Sequence, residues 1–246
     1  MYHHLHIKWF IFQHINLKYG LRLSYSQNKN GVHILQEIFL KKVYVLPQMA
    51  KSDIVVVDVG AHYGFFSLFA LDCYKERCRV FAIEPSTTNI HILRSNINES
   101  MCSNFESVQA VISNITGERQ LFLSTDQNNS LYDRYVPIQS GVEIVKSFTL
   151  SDFINLHHIA YIDLLKMDCE GSEHEIIMSL TATELSCIHY LCIEMHHLTN
   201  QQYSIEKTLQ HLAQNGFSKC YAHDLDLINE LPYFNDIVML KNINYN

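Results

Sequence analysis

Residues 55–64 read VVVDVGAHYG: an apolar run interrupted by one acid, then a glycine, with a second glycine four residues on. The chain has only 8 glycines among 246 residues, so placing two of them here is informative. The run from Ile54 to Val59 is what a strand covered on both faces by helices requires. Gly60 lets the chain turn where a β-carbon would obstruct it, and Gly64 permits close approach where the apolar helix of Phe65 to Tyr74 begins. Such a loop is either a plain strand-to-helix turn or a cradle in which a cofactor meets the backbone. The rest of the chain decides between them.

Outward from this loop, strand-like and helix-like segments alternate. Arg79 to Ile83 reads as a second strand, ended by Glu84-Pro85. Ser86 to Asn98 reads as a helix, with Ile90, Leu93 and Ile97 on one face and Ser86 or Thr87 as its N-cap. Val108 to Ile112 is a third strand. GERQLFLS (117–124) and GVEIVKSF (141–148) then read as antiparallel strands flanking the irregular TDQNNSLYDRYVPIQ (125–139), which is either a functional loop or a surface excursion. Alternation resumes with a helix at TLSDFINL (149–156), a strand at IDLLKM (162–167) and a helix at GSEHEIIMSL (171–180). A strand at IHYLCIEM (188–195), a helix over Ile205 to Gln214 stopped by Gly216, and final strands at Phe217 to Tyr221 and Ile237 to Leu240 complete it. This order predicts an α/β fold with one doubly wound sheet over 51–246. Residues 1–50 form an N-terminal extension, where Leu5, Trp9, Phe12 and Asn16 follow helical spacing and predict a helix laid on the domain, on a partner or against a membrane surface.

Composition narrows the partners. The formal charge of −7 argues against a phosphate-binding surface, so nucleic acid is not an expected partner. The 7 cysteines are odd in number and lack C-x-x-C spacing, which fits a reduced cytoplasmic protein rather than a disulfide or zinc scaffold. Near the start the longest apolar run is Trp9 to Phe12, too short for a membrane span or a signal peptide. The 15 histidines are dispersed, and no metal site is expected from them.

In an open α/β sheet, ligands bind beyond the carboxyl ends of the strands, where the strand order reverses. Four apolar runs here end in acids or histidine: Asp58 with Gly60 and Gly64; Glu84; Asp168 and Glu170; Glu194 and His196. Glu84 lies 20 residues beyond Gly64, about the offset at which an acid meets ribose hydroxyls. The loop is not the G-x-G-x-x-G of a dinucleotide site, because His62 stands where a middle glycine would. Asp58 before the turn and Glu84 ending the second strand favour S-adenosylmethionine over a nicotinamide cofactor.

VVVDVGAHYGFFSLFAL, VFAIEPSTTNIHILRSNINES and IDLLKMDCEGSEHEII, with TLSDFI and LCIEMH around the last, resemble the blocks of the FkbM-type S-adenosylmethionine-dependent methyltransferases. The resemblance covers about residues 43 to 200. It implies a class I methyltransferase Rossmann-like sheet of about seven strands, the last antiparallel, and an O-methyltransferase acting on sugar or polyketide hydroxyls. Carried over, Asp58, Gly60, Ala61 and Gly64 border the methionine and sulfonium part of the cofactor. His62 lies in the same loop, where the family more often has asparagine. Glu84 accepts the ribose hydroxyls or caps the following helix, and Ile112 and Ser113 flank the adenine. Asp168, Glu170 and His196 are the candidates to receive the acceptor's proton. Lys166, unusual inside a covered strand, is expected to form a structural ion pair. A non-catalytic binding module and an NAD-dependent oxidoreductase remain the alternatives.

Overall fold

The computed structural model describes residues 14–16, 22–24, 33–41, 43–44, 46–100, 104–125, 128–133, 136, 139–197, 203–220 and 237–245. Two short strands, β1 (His14–Asn16) and β2 (Arg22–Ser24), pair antiparallel. Helical spacing at Asn16 is therefore not realised, while Leu5, Trp9 and Phe12 lie outside the described residues. A π-helical turn, Gln36–Lys41, leads to the domain. There follow β3 (Ile54–Val59), α1 (Phe65–Tyr74), β4 (Cys78–Ile83), α2 (Thr87–Ser100), β5 (Phe105–Val108), β6 (Val111–Ile112), β7 (Gly117–Ser124) and β8 (Gln139–Phe148). The chain continues with α3 (Leu150–Leu156), β9 (Ile162–Met167), α4 (Glu173–Ser179), α5 (Ala182–Ser186), β10 (Ile188–Glu194), α6 (Ile205–Gln214), β11 (Phe217–Lys219) and β12 (Ile237–Asn242).

Seven strands form the main sheet in the order β11-β12-β10-β9-β3-β4-β5. All neighbours from β10 to β5 are parallel, and β12 inserts antiparallel between β10 and β11. The chain winds outward from β3 through β4 to β5, then returns to β9 and proceeds the other way. The reversal of strand order therefore falls between β3 and β9, where a crevice opens at the carboxyl ends. The expected third strand is split in two. After β5 the chain leaves the sheet, and β6 joins β7 and β8 in a separate three-stranded sheet. Gln109 marks the break between the apolar residues Val108 and Ala110, and the sequence reading joined the two short pieces across it.

Alternation along β3 divides the core into two layers. Ile54 and Val56 face α1, together with Leu35, Ile38, Val43, Leu46 and Met49. Val55, Val57 and Val59 face Phe153 of α3, Ile176 and Ile177 of α4, Leu185 of α5 and Leu212 of α6. Leu35, Ile38, Val43, Tyr44, Leu46 and Met49 thus share the core of the sheet they precede, although the sequence reading set them apart in an extension.

One charged pair lies inside this apolar frame. Register sets Asp58 of β3 opposite Lys166 of β9, and the two fully covered side chains meet at 3.2 Å. Asp58 also accepts a hydrogen bond from the Ser67 hydroxyl at 2.6 Å. Breaking a buried pair strands the surviving charge. Lys166→Met is expected to lower the unfolding free energy by about 3–5 kcal/mol in urea titrations, and adding Asp58→Asn to recover part of the loss.

Candidate active site

The crevice at the reversal point is a cleft of about 520 Å³. Its floor is the loop after β3. Gly60 (φ 76°) and Gly64 (φ 78°) both adopt the left-handed conformation that only glycine takes without strain. A β-carbon on Gly60 would lie 1.8 Å from the Asp168 carbonyl oxygen, and one on Gly64 3.1 Å from Leu93 Cγ. The glycines are thus required by the protein's own packing: Gly60 lets the β3 and β9 loops abut, and Gly64 lets α2 close on the turn. His62, between them, is also left-handed at φ 51°.

Glu84, at the end of β4, is the anchor of this floor. One carboxyl oxygen accepts the His62 N–H at 2.8 Å; the other accepts the Ser86 N–H at 3.0 Å and the Asn89 amide at 3.3 Å. The Ser86 and Asn89 contacts brace the entry to α2, and Glu84 also lines the cleft. Burial pushes its carboxyl up to about 7 against these donors.

The opposite wall carries the acids. Asp168 follows β9, Glu194 ends β10, and Glu170 sits in a left-handed turn at φ 54°. Glu173, fully buried, holds that turn by accepting the N–H groups of Cys169 at 2.7 Å and Gly171 at 2.9 Å. His196 is fixed between Glu173 (Nδ1, 3.0 Å) and Glu170 (Nε2, 3.4 Å). Desolvation disfavours charge on its ring, but Glu173, Glu170 and Asp168 prevail and raise it to about 10. Asp168 is likewise desolvated, yet Lys166, His196 and the Tyr44 hydroxyl hold it below the usual carboxylate range. Glu170 and Glu194, desolvated beside Asp168, are each pushed up to about 7. Ligand atoms of Asp168, Glu194 and His196 lie within 4.8 Å of one another, a spacing a cation could fit. Lys166 and His196 already bring positive charge to this group, and a hydroxyl bridges two of its carboxyls, so no ion is assigned.

Among the anticipated residues, Gly60, Ala61, His62, Glu84, Ile112, Asp168 and Glu170 line the cleft. Asp58 does not. It lies beneath the loop, paired to Lys166, whose ammonium also donates to the Gly60 carbonyl at 2.9 Å. Ser113 is likewise turned away, fully buried with its hydroxyl on Ser147 Oγ at 2.8 Å. Gly64 and His196 are not among the lining residues, although His196 contacts Glu170, which is. The sequence reading missed the N-terminal contribution altogether: His33, Glu37, Ile38 and Tyr44 also line the cleft. No motif marks these residues; the only signal was apolar spacing over 34–46. From the irregular loop, Asn128, Asn129 and Leu131 reach the same space.

The model of the methyltransferase FkbM domain matches residues 58–219. The chain belongs to the FkbM methyltransferase family. It is a methyltransferase whose methyl donor is S-adenosylmethionine. The methyltransferase sdnD of Sordaria araneosa is 24% identical, over 77% of this chain and 85% of its own. The AMB antimetabolite synthetase AmbE of Pseudomonas aeruginosa is 25% identical over 74% of this chain, which spans only 10% of that much longer protein. A crystal structure of the FkbM methyltransferase of Methylobacillus flagellatus superposes with a TM-score of 0.50 at 16% identity, covering 79% of this chain and 44% of that one.

The residues present suit this cofactor. A carboxylate with lone pairs to spare, at the end of the strand next to the glycine turn, can accept a ribose diol, and apolar Ala110, Val111 and Ile112 can take a flat base. Glu84 must be ionised to accept from both hydroxyls, so S-adenosylhomocysteine affinity should weaken as pH falls from about 8 to about 6. Calorimetry on Glu84→Gln should find that dependence flattened and binding weaker by about 1.5–3 kcal/mol.

Proposed function

We propose that the protein is an O-methyltransferase acting on a hydroxyl of a sugar, a glycan or a related natural product. The observation that carries this reading is Asp168: a carboxyl lining the cleft 3.6 Å from the Lys166 ammonium, which holds it below the usual carboxylate range, beside Glu170 and Glu194, which burial pushes up. A sugar hydroxyl is a poor nucleophile, so a positioned base that receives its proton assists attack. When bound, the cofactor supplies an electrophilic methyl group on a sulfonium. The chain's own residues orient the acceptor, exclude water and take the proton.

Acids predominate among the charged groups of the cleft wall: Glu37, Glu84, Asp168, Glu170 and Glu194 against the pinned Lys166 and two histidines. This charge favours a neutral polyol over a phosphorylated or polynucleotide acceptor. Asn128 and Asn129 offer donors and acceptors without fixed charge, which suits hydroxylated molecules. Asn129 is itself held by accepting the Ser124 N–H at 2.9 Å. Glu170 and His196, bound to each other, are the supporting groups: Glu170 lines the wall beside Asp168, and His196 offsets the negative charge there.

Incubation with methyl-labelled S-adenosylmethionine and a panel of glycans, lipid-linked sugars and polyketide alcohols tests the assignment. Label transfer to a hydroxyl is expected; transfer to a nitrogen or a nucleic acid alone would overturn it. Asp168→Asn should leave cofactor affinity near normal and lower kcat by about 100- to 10,000-fold, the range for general base catalysis. Turnover within several-fold of wild type would remove Asp168 as the base.

A further inference from the structure

Tyr44 reaches the centre of the site from outside the matched family region. Its phenol is 5% exposed, packed edge-to-face on Phe66 with ring centroids 5.3 Å apart. The Lys166 ammonium lies 5.3 Å from its ring centroid. Its oxygen stands 2.7 Å from Asp168 Oδ2 and 3.0 Å from Glu194 Oε2. A phenol has one proton to donate. Both short contacts are hydrogen bonds only if one of the two acids brings a proton of its own. Lys166, 3.6 Å from Asp168, favours the ionised form there, so Glu194 is the acid that donates to the Tyr44 oxygen while Tyr44 donates to Asp168.

We propose that Tyr44 is a positioning residue that joins Asp168 and Glu194 into one proton-sharing pair, and that the proton taken from the acceptor leaves through Glu194. This rests on reading Asp168 as the base. In each turnover the acceptor O–H bond breaks and its proton passes to Asp168. The acceptor oxygen forms a bond to the methyl carbon, and the electron pair of the breaking S–C bond stays on sulfur. Glu194 releases its own proton to the solvent side of the cleft. The Asp168 proton then moves to the Tyr44 oxygen as the phenolic proton moves to Glu194, which restores the starting arrangement with one proton released. The phenol itself does not ionise, because burial and the adjacent acids raise it well above its ordinary value.

The charged and titratable groups around the pair come from every packed element: Lys166 and Asp58 in the sheet, the Cys192 thiol on β10, His62 in the glycine loop, and Glu170 and His196 beyond the strand ends. Tyr44→Phe leaves them in place and removes only the bridging hydroxyl. As donor to Asp168 that hydroxyl favours the ionised form there, so its loss raises the pH at which Asp168 titrates.

The test has two parts. In protein labelled with ¹³C at the Asp and Glu carboxyls, without acceptor or cofactor, the Asp168 and Glu194 resonances should titrate as a coupled pair. The Asp168 midpoint should move up by roughly one pH unit in Tyr44→Phe, the scale of a lost hydrogen bond to a carboxylate, and the coupling between the two resonances should weaken. In turnover, Tyr44→Phe should lower kcat about tenfold at pH 7 and shift the acid limb of kcat/KM upward, with S-adenosylhomocysteine affinity within twofold of wild type. Glu194→Gln, which still offers Tyr44 a donor, should show a similar loss, and the double variant should cost no more than either single one. Unchanged carboxyl titrations in Tyr44→Phe, or losses that multiply in the double variant, would overturn the coupling. So would wild-type turnover that chelators abolish and Mg²⁺ restores, because the two carboxyls would then be ligands. Wild-type turnover in Asp168→Asn, with the coupled titration seen in the unsubstituted protein, would instead overturn the base reading alone.

Discussion

A single ammonium group, Lys166 Nζ, sits where the two halves of the sheet meet, and the cleft is arranged around it. It pairs with Asp58 at 3.2 Å, donates to the Gly60 carbonyl at 2.9 Å and lies 3.6 Å from Asp168. Those three contacts tie the central strand, the glycine turn and the acidic wall to one point. An unpaired charge in this position would be costly, since the surrounding side chains are apolar and fully covered. The pair is therefore less a source of stability than a constraint: the loop after β3 and the end of β9 must keep the spacing that satisfies it.

From that constraint the electrostatics of the cleft follow. Asp168 stays ionised because Lys166 and His196 face it, while Glu170 and Glu194, desolvated next to an existing negative charge, resist ionising. Carboxyls whose environments push them apart can divide the roles of accepting and releasing a proton. Glu173, beneath them, converts a strained turn into a fixed one by accepting two backbone N–H groups and orienting His196.

Much of this was legible in the sequence. The β-branched run and its two glycines located the central strand and turn, and the acids after four strands located the cleft edge. α6 was foreseen to its boundaries, Ile205–Gln214, because its apolar spacing is regular and Ser204 caps it with its hydroxyl. What escaped were features that depend on distant packing. Asp58 reads as a loop acid but is consumed by its cross-strand neighbour, and Ser113 by Ser147. The separate sheet of β6, β7 and β8 depends on where β5 ends, which the short spacing from Val108 to Val111 conceals. Tyr44 is one of 14 tyrosines and carries no local signature, since only the fold brings it across 124 residues to Asp168.

The central claim is that one cleft at the strand-order reversal holds the methyl donor against Glu84 and the acceptor against Asp168. A crystal structure of the complex with S-adenosylhomocysteine tests this most directly. The account expects the ribose hydroxyls within hydrogen-bonding distance of the Glu84 carboxylate, and the thioether sulfur facing the wall formed by Asp168 and Glu194. Ribose hydroxyls bound away from Glu84, or a sulfur separated from Asp168 by the body of the glycine loop, would contradict it.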